Sequence, residues 1–109
     1  MLDLGYSLLS GTISPSLISK LKNVRGLYLE TNDLSGQLPV DALPSQTLQQ
    51  LDVSRTFLEA SFPDLVTSLT NLDHIRLDFC LGITGTIPSE IALNSNLGEF
   101  KSARCSILN

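Results

Sequence analysis

The sequence predicts an α/β solenoid, a stack of short coils whose strands form a parallel sheet. Apolar residues recur every 24 or 25 positions, as Leu2, Leu27, Leu51, Ile75 and Phe100. A second apolar series lies two residues further on, and Gly-x-x-Pro follows in phase in two of the units. A period of this length is typical of proteins whose units bury their apolar faces only by stacking on their neighbours.

The best-formed unit, "VRGLYLETNDLSGQLP" at 24–39, explains each element of a coil. Strand alternation turns Leu27 and Leu29 inward and Tyr28 outward. Asn32 then turns the chain, and we expect its amide to bond the backbone of its own coil and the next. A second short extended piece ends at Gly36 and Pro39. Glycine leaves φ free and proline fixes it, and both favour a reversal of the chain direction. Small hydrogen-bonding residues take the place of Asn32 in the other units: Ser7, Thr56, Cys80 and Cys105.

This unit resembles the leucine-rich repeat, in its plant-type form LxxLxxLxLxxNxLSGxIPxxL. "ITGTIPSEI" (83–91) and "LSGTIS" (9–14) match its second half, whereas the third unit has Ala60 in place of glycine. The fourth unit has one extra residue, which we place at Leu81–Gly82. The resemblance implies a sheet on the concave face and short 3₁₀ or helical turns on the convex face. Three segments would supply those turns, each with a proline near its start: 15–23, 62–71 and 88–96.

Length and composition limit the possible functions. With 109 residues and 42% hydrophobic content, the chain is predicted to form one domain, 1–109, of about four repeats and a truncated fifth. A net charge of −4 disfavours nucleic-acid binding, and no apolar run approaches the ~20 residues that cross a bilayer. No phosphate-binding loop, metalloprotease motif or nucleophile elbow is present, so we predict neither an enzyme nor a cofactor. Cys80 and Cys105 are predicted to be buried thiols, with a disulfide between adjacent coils as the alternative.

The outward-facing positions of the sheet are the candidate binding residues. Four columns run across the coils, and they bring aromatic, arginine, histidine and acidic side chains to one face. We expect Asp52 to pair with Arg76, and Phe79 to stack between Arg55 and Arg104. Tyrosine and arginine dominate protein interfaces, although charges that satisfy one another on a solvated face are the alternative. The predicted partner-binding residues are Tyr28, Asp52, Arg55, His74, Arg76, Asp78, Phe79, Lys101 and Arg104.

The leading hypothesis is a module that binds a protein or peptide on its concave sheet. The alternatives are a spacer within a longer array and the regulatory arm of a kinase. The resemblance implies a receptor-like or secreted parent that is extracellular or membrane-attached, with a cytoplasmic location as the alternative. Since no capping unit is recognisable, we expect the chain to be a piece of a longer repeat protein.

Overall fold

The computed structural model describes residues 2–3, 5, 10–86, 99–101 and 106–108, and these form an α/β leucine-rich repeat solenoid. Two five-stranded parallel sheets run along the stack. The first sheet has the order β1-β3-β5-β7-β9, with strands Leu2–Asp3, Gly26–Tyr28, Gln50–Asp52, His74–Arg76 and Glu99–Lys101. The second has the order β10-β8-β6-β4-β2, with strands Ser106–Leu108, Ile83–Thr86, Phe57–Ser61, Asp33–Gln37 and Ser10–Thr12.

The first sheet confirms the register that the sequence period predicts. Leu27 pairs with Leu2 on one side and Leu51 on the other, and Ile75 pairs with Leu51 and Phe100. The side chains of Leu27, Leu51 and Ile75 are at most 1% exposed, so they form a continuous inward row. Burying each of them contributes roughly 1.5–3 kcal/mol. The stack of coils is therefore held together along the sheet that forms the concave face.

The second sheet follows a different register. The repeat spacing aligns Gly36 with Ala60, but the strands pair Gly36 with Leu58, a stagger of two residues. Gly36 has a φ of 78° and Gly85 a φ of 107°, values that a residue with a Cβ rarely adopts. The sequence indicates the second extended piece of each unit, whereas its pairing into a sheet is a finding of the structure.

Short helices follow the second sheet and form the convex side. Helix α1 (Pro15–Ile18) and helix α2 (Phe62–Ser68) lie in two of the predicted segments, and each has a proline in its first turn. Proline is tolerated there because the first N–H groups of a helix lack an internal partner. In the coil between them, the equivalent piece is a 3₁₀ helix, Val40–Ala42. The predicted segment 88–96 lies outside the described residues.

Small polar groups close each turn after the first sheet. Asn32 Nδ2 donates to the carbonyl oxygens of Leu29 (3.0 Å) and Glu30 (3.3 Å), within its own coil. The Thr56 hydroxyl and the Cys80 thiol both donate to the Val53 carbonyl, each at 2.7 Å. The Cys80 thiol thus joins its coil to the preceding one. Cys80 is a free, buried thiol, and burial raises its pKa to about 11. Cys105 lies outside the described residues.

The extra residue of the fourth unit lies at the predicted place. The Ile83 N–H donates to the Cys80 carbonyl at 3.2 Å, which makes Leu81 and Gly82 the central residues of a tight turn. A Cβ on Gly82 would lie 2.4 Å from the Leu58 carbonyl oxygen, so this position excludes a side chain. The Gly82 carbonyl accepts from the Ala60 N–H at 3.1 Å, which anchors the turn to the preceding coil.

Candidate functional site

The concave face is built from three-residue strands and the turns that follow them. Tyr28, Asp52 and Arg76 occupy successive strands in register. The next two predicted columns, which contain Asp78 and Phe79, lie beyond the strand ends. We predicted that all of these positions would be on strands, and this was wrong because each strand is only three residues long. The turn nevertheless keeps these side chains on the same face of the stack.

One column of the turn adopts left-handed backbone geometry in successive coils. Thr31, Arg55 and Phe79 have φ values of 57°, 58° and 61°. This conformation costs a residue with a side chain roughly 1–2 kcal/mol. Hydrogen bonds between coils hold it, since the N–H groups of Thr31 and Arg55 donate to the next coil's Ser54 and Asp78 carbonyls, each at 2.9 Å. The backbone thus fixes the direction in which Arg55 and Phe79 leave the face.

Arg55 and Phe79 form a stacked pair across two coils. The guanidinium carbon of Arg55 lies 4.2 Å from the centre of the Phe79 ring, which confirms half of the predicted stack. Phe79 remains 36% exposed beside it. Arg104, the other predicted member of the stack, lies outside the described residues. The pair presents a flat aromatic and cationic surface to solvent.

Asp52 is buried rather than solvated. It is 6% exposed, and its Oδ1 accepts a hydrogen bond from the Ser54 backbone N–H at 3.0 Å. Ser54 Oγ in turn accepts from the Asp78 N–H at 3.1 Å, so the contacts continue into the next coil. The prediction that Asp52 forms an ion pair with Arg76 was wrong. In the described part of the chain, the ion pair with nitrogen and oxygen closer than 4 Å is between His74 and Asp73. Arg76 stays exposed and available to a ligand.

A second carboxyl group lies against Asp52. Glu30 reaches over Gly5, where a Cβ would overlap its carboxyl group, and it is hydrogen-bonded to the Asp52 side chain. Burial, this hydrogen bond and repulsion from the charges of Asp52 and Asp3 raise the pKa of Glu30 to about 7. Glu30 therefore keeps its proton up to about neutral pH. Sequence analysis did not select Glu30, although an acid in the column beside Asp52 was a usable signal.

Tyr28 lies along the sheet instead of projecting from it. Its hydroxyl is hydrogen-bonded to Gln50 Oε1, and its ring covers Gly26, where a Cβ would lie 2.9 Å from Cε2. Burial raises the pKa of the Tyr28 hydroxyl, as do the nearby acids, Asp3 and Asp52 foremost. The ring closes one end of the face and keeps a half-buried edge towards solvent.

His74 is held at the start of its strand. Its Nδ1 lies 2.5 Å from Asp73 Oδ1, and 45% of its side chain is exposed. The carboxylate of the preceding residue fixes the orientation of the ring.

The side chains enclose two adjoining open grooves. The larger groove, about 470 Å³, lies between the Glu30–Asp52 pair and the Arg55–Phe79 stack. Arg76 and Asp78 also line it. The smaller, about 170 Å³, lies between Tyr28 and His74. Asp52 and Arg76 line both grooves, so the two adjoin. Seven of the nine predicted residues line them: Tyr28, Asp52, Arg55, His74, Arg76, Asp78 and Phe79.

The other two predicted binding residues are Lys101 and Arg104. The backbone of Lys101 pairs with Arg76 in the first sheet, which places it on the same face. Its side chain, like the whole of Arg104, lies outside what the structure describes. Among the described residues, no group of three or more histidine, cysteine, aspartate or glutamate side chains could hold a metal ion. The groove offers hydrogen bonding, charge and an aromatic surface.

The chain is similar to two proteins of Arabidopsis thaliana. It is 38% identical to Receptor-like protein 6 over 75 residues, which are 69% of this chain and 8% of that protein. It is also 38% identical to Receptor-like protein 52 over 79 residues, 72% of this chain and 10% of that protein. The chain thus spans about a tenth of the length of the curated relatives it matches. No family model matches the chain. In the described ranges, no helix is long and apolar enough to span a membrane.

Proposed function

We propose that the chain is the ligand-binding part of a receptor-like leucine-rich repeat protein, and that its concave groove binds a protein or an extended peptide. The observation that carries the proposal is the convergence of seven predicted residues on two adjoining grooves. A groove of this kind, open along its length, suits a chain of amino acids better than a small enclosed molecule. We further propose that residues 1–109 belong to a single repeat domain.

The order of the groove supports binding. The left-handed backbone at Arg55 and Phe79 and their 4.2 Å stack hold both side chains before any ligand arrives. Immobilising a flexible side chain on binding costs about 0.5–1.5 kcal/mol, so side chains that are already fixed lose less. Aromatic and arginine side chains are also the types that contribute most at protein interfaces.

The similarity to receptor-like proteins supports the wider setting. The matched region covers a small part of each relative, so the activity of the parent protein is itself part of the proposal. A segment that served only as a spacer would not need an exposed arginine such as Arg76 in the groove. We therefore propose a binding role rather than an enzymatic or a purely structural one.

A displayed library of random linear 12-residue peptides tests the proposal. The immobilised chain is used for selection, and each recovered peptide is measured by biolayer interferometry against the wild type and the double variant Arg76→Glu, Tyr28→Ala. We expect a class of peptides that loses at least tenfold in affinity on this variant. Lys20→Glu, a charge reversal at an exposed position after helix α1, is the matched control and should leave that class unchanged.

The proposal fails if every recovered peptide binds the double variant and the wild type equally well. The library contains no cellular protein, so this result would bear on the groove itself. Circular dichroism of the variants must first show that they retain the fold of the wild type.

A further inference from the structure

In the third and fourth coils, a turn leads from the first sheet to the second, and two side chains flank each of these turns. In the third coil, Arg55 and Phe57 flank the buried Thr56, and in the fourth, Phe79 and Leu81 flank the buried Cys80. Phe57 is 66% exposed, Leu81 is 70% exposed and Phe79 is 36% exposed. These are the large apolar residues that are exposed in the described part of the chain. We call Phe57, Phe79 and Leu81 the apolar ridge.

The fold does not require this ridge. The second coil has Thr31 and Asp33 at the same two positions and builds the same turn and the same strands. Phe57 and Leu81 occupy equivalent positions of adjacent coils. A Cβ on Gly82, next to Leu81, would lie 2.4 Å from the carbonyl oxygen of Leu58, next to Phe57, so the two residues lie beside the same contact between coils. A scattered apolar residue on a surface is ordinary, but a group of them at one place marks an interaction surface.

Acidic side chains border the ridge on both sides. Glu59 is exposed on the same strand as Phe57, and Asp33 is exposed at the equivalent position one coil before it. On the concave side, Asp78 directly precedes Phe79. Arg55 is stacked on Phe79. The chain as a whole carries a net charge of −4, so electrostatics oppose a second copy at this surface and favour a positively charged partner.

We propose that the apolar ridge is a docking site for a basic segment of a partner protein, which places a large apolar side chain between Phe57 and Leu81 and its lysine or arginine residues against Glu59 and Asp33. This surface lies over the edge of the concave groove, and Phe57 and Leu81 do not line that groove. Phe79 does line the groove, so the ridge shares this side chain with it, and Phe57 and Leu81 are the members that test the ridge alone.

The same 12-residue peptide library tests the ridge with a different variant. Phe57→Ser with Leu81→Ser removes the apolar contact at two exposed positions, and Glu59→Lys reverses the bordering charge. We expect recovered peptides that combine a net positive charge with a large apolar residue. Their affinity should fall at least tenfold on the double variant and several-fold on Glu59→Lys. Raising the salt concentration to about 0.5 M should also weaken them, because exposed charges are then screened.

Two controls separate the ridge from other causes. Thr12→Ala, at an exposed position of the second sheet away from the ridge, should bind these peptides as the wild type does. The groove variant Arg76→Glu, Tyr28→Ala should bind them within twofold, which distinguishes failure of the ridge from failure of the groove.

Three results would overturn the inference. The recovered peptides could show no enrichment of basic and apolar residues, or the ridge variant could bind them as well as the wild type does. The third result is self-association: light scattering that shows a dimer of the wild type and a monomer of the Phe57→Ser, Leu81→Ser variant would make a second copy the occupant of the ridge.

Discussion

Replacing Asp52 by asparagine should change how the stability of the protein depends on pH. The amide oxygen can still accept the Ser54 N–H that Asp52 Oδ1 accepts at 3.0 Å, so the turn keeps its contact. The negative charge that repels Glu30 disappears, and the amide nitrogen can donate to an ionised Glu30 instead. We therefore expect the pKa of Glu30 to fall from about 7 towards its ordinary value.

The sign of the effect follows from proton binding. Because the pKa of Glu30 is raised from 4.5 to about 7 in the folded protein, the folded state binds more protons than the unfolded state between these values. Stability from this group is therefore complete below about pH 4.5 and is lost as the pH rises through 7. One pKa unit corresponds to 1.36 kcal/mol, but screening by solvent at this half-buried site reduces the total to about 1 kcal/mol.

Urea denaturation at pH 5 and pH 8 measures this effect. The quantity to compare is the unfolding free energy of Asp52→Asn minus that of the wild type. This difference should be about 1 kcal/mol more favourable to the variant at pH 8 than at pH 5. Asp41→Asn, at an exposed acid on the 3₁₀ helix of the convex side, is the control. Its unfolding free energy should differ from that of the wild type by the same amount at pH 5 and at pH 8. If the difference between Asp52→Asn and the wild type does not change with pH, the account of the carboxyl pair is wrong.

Three further predictions concern the turns. Gly82→Ala should destabilise the protein by about 1–3 kcal/mol in urea denaturation, because its Cβ would lie 2.4 Å from a backbone oxygen; an unchanged midpoint would contradict the described turn. Thr31→Asn should raise the unfolding free energy by up to about 1 kcal/mol, because asparagine tolerates positive φ better than threonine and Thr31 Oγ1 is buried without a hydrogen bond. A loss of stability would argue against the left-handed geometry. Cys80 should react with a thiol reagent at pH 8 far more slowly in the native than in the urea-unfolded protein, because it is buried and its pKa is raised to about 11; equal rates would place it at the surface.

The sequence predicts the first sheet because its signal is periodic. The spacing of Leu27, Leu51 and Ile75 fixes which residues pair, and the structure pairs them that way. The second sheet has a weaker signal, since its register depends on backbone hydrogen bonds and on glycines at positive φ. No side-chain pattern shows that Gly36 pairs with Leu58. The extra residue at Leu81–Gly82 could be located because it interrupts an otherwise regular count.

The site was predicted as a face but not in its details. Counting along the repeat places Arg55 and Phe79 in the same column, and their stack follows from that placement. The count cannot show that Asp52 is buried by its neighbours, because burial depends on how Glu30 lies across the coils. The exposure of Phe57 and Leu81 was also missed, since an apolar residue beside a buried position reads as part of the core.

The account depends most on the claim that the groove on the concave face is a binding surface. The most direct measurement is the movement of backbone amide signals in ¹H–¹⁵N NMR spectra as a groove-selected peptide is added to the labelled chain. The account predicts that the largest shifts fall on Arg55, Arg76, Asp78 and Phe79, and that the amides of helices α1 and α2 stay in place. Shifts concentrated on the convex helices, with the groove unmoved, would contradict it.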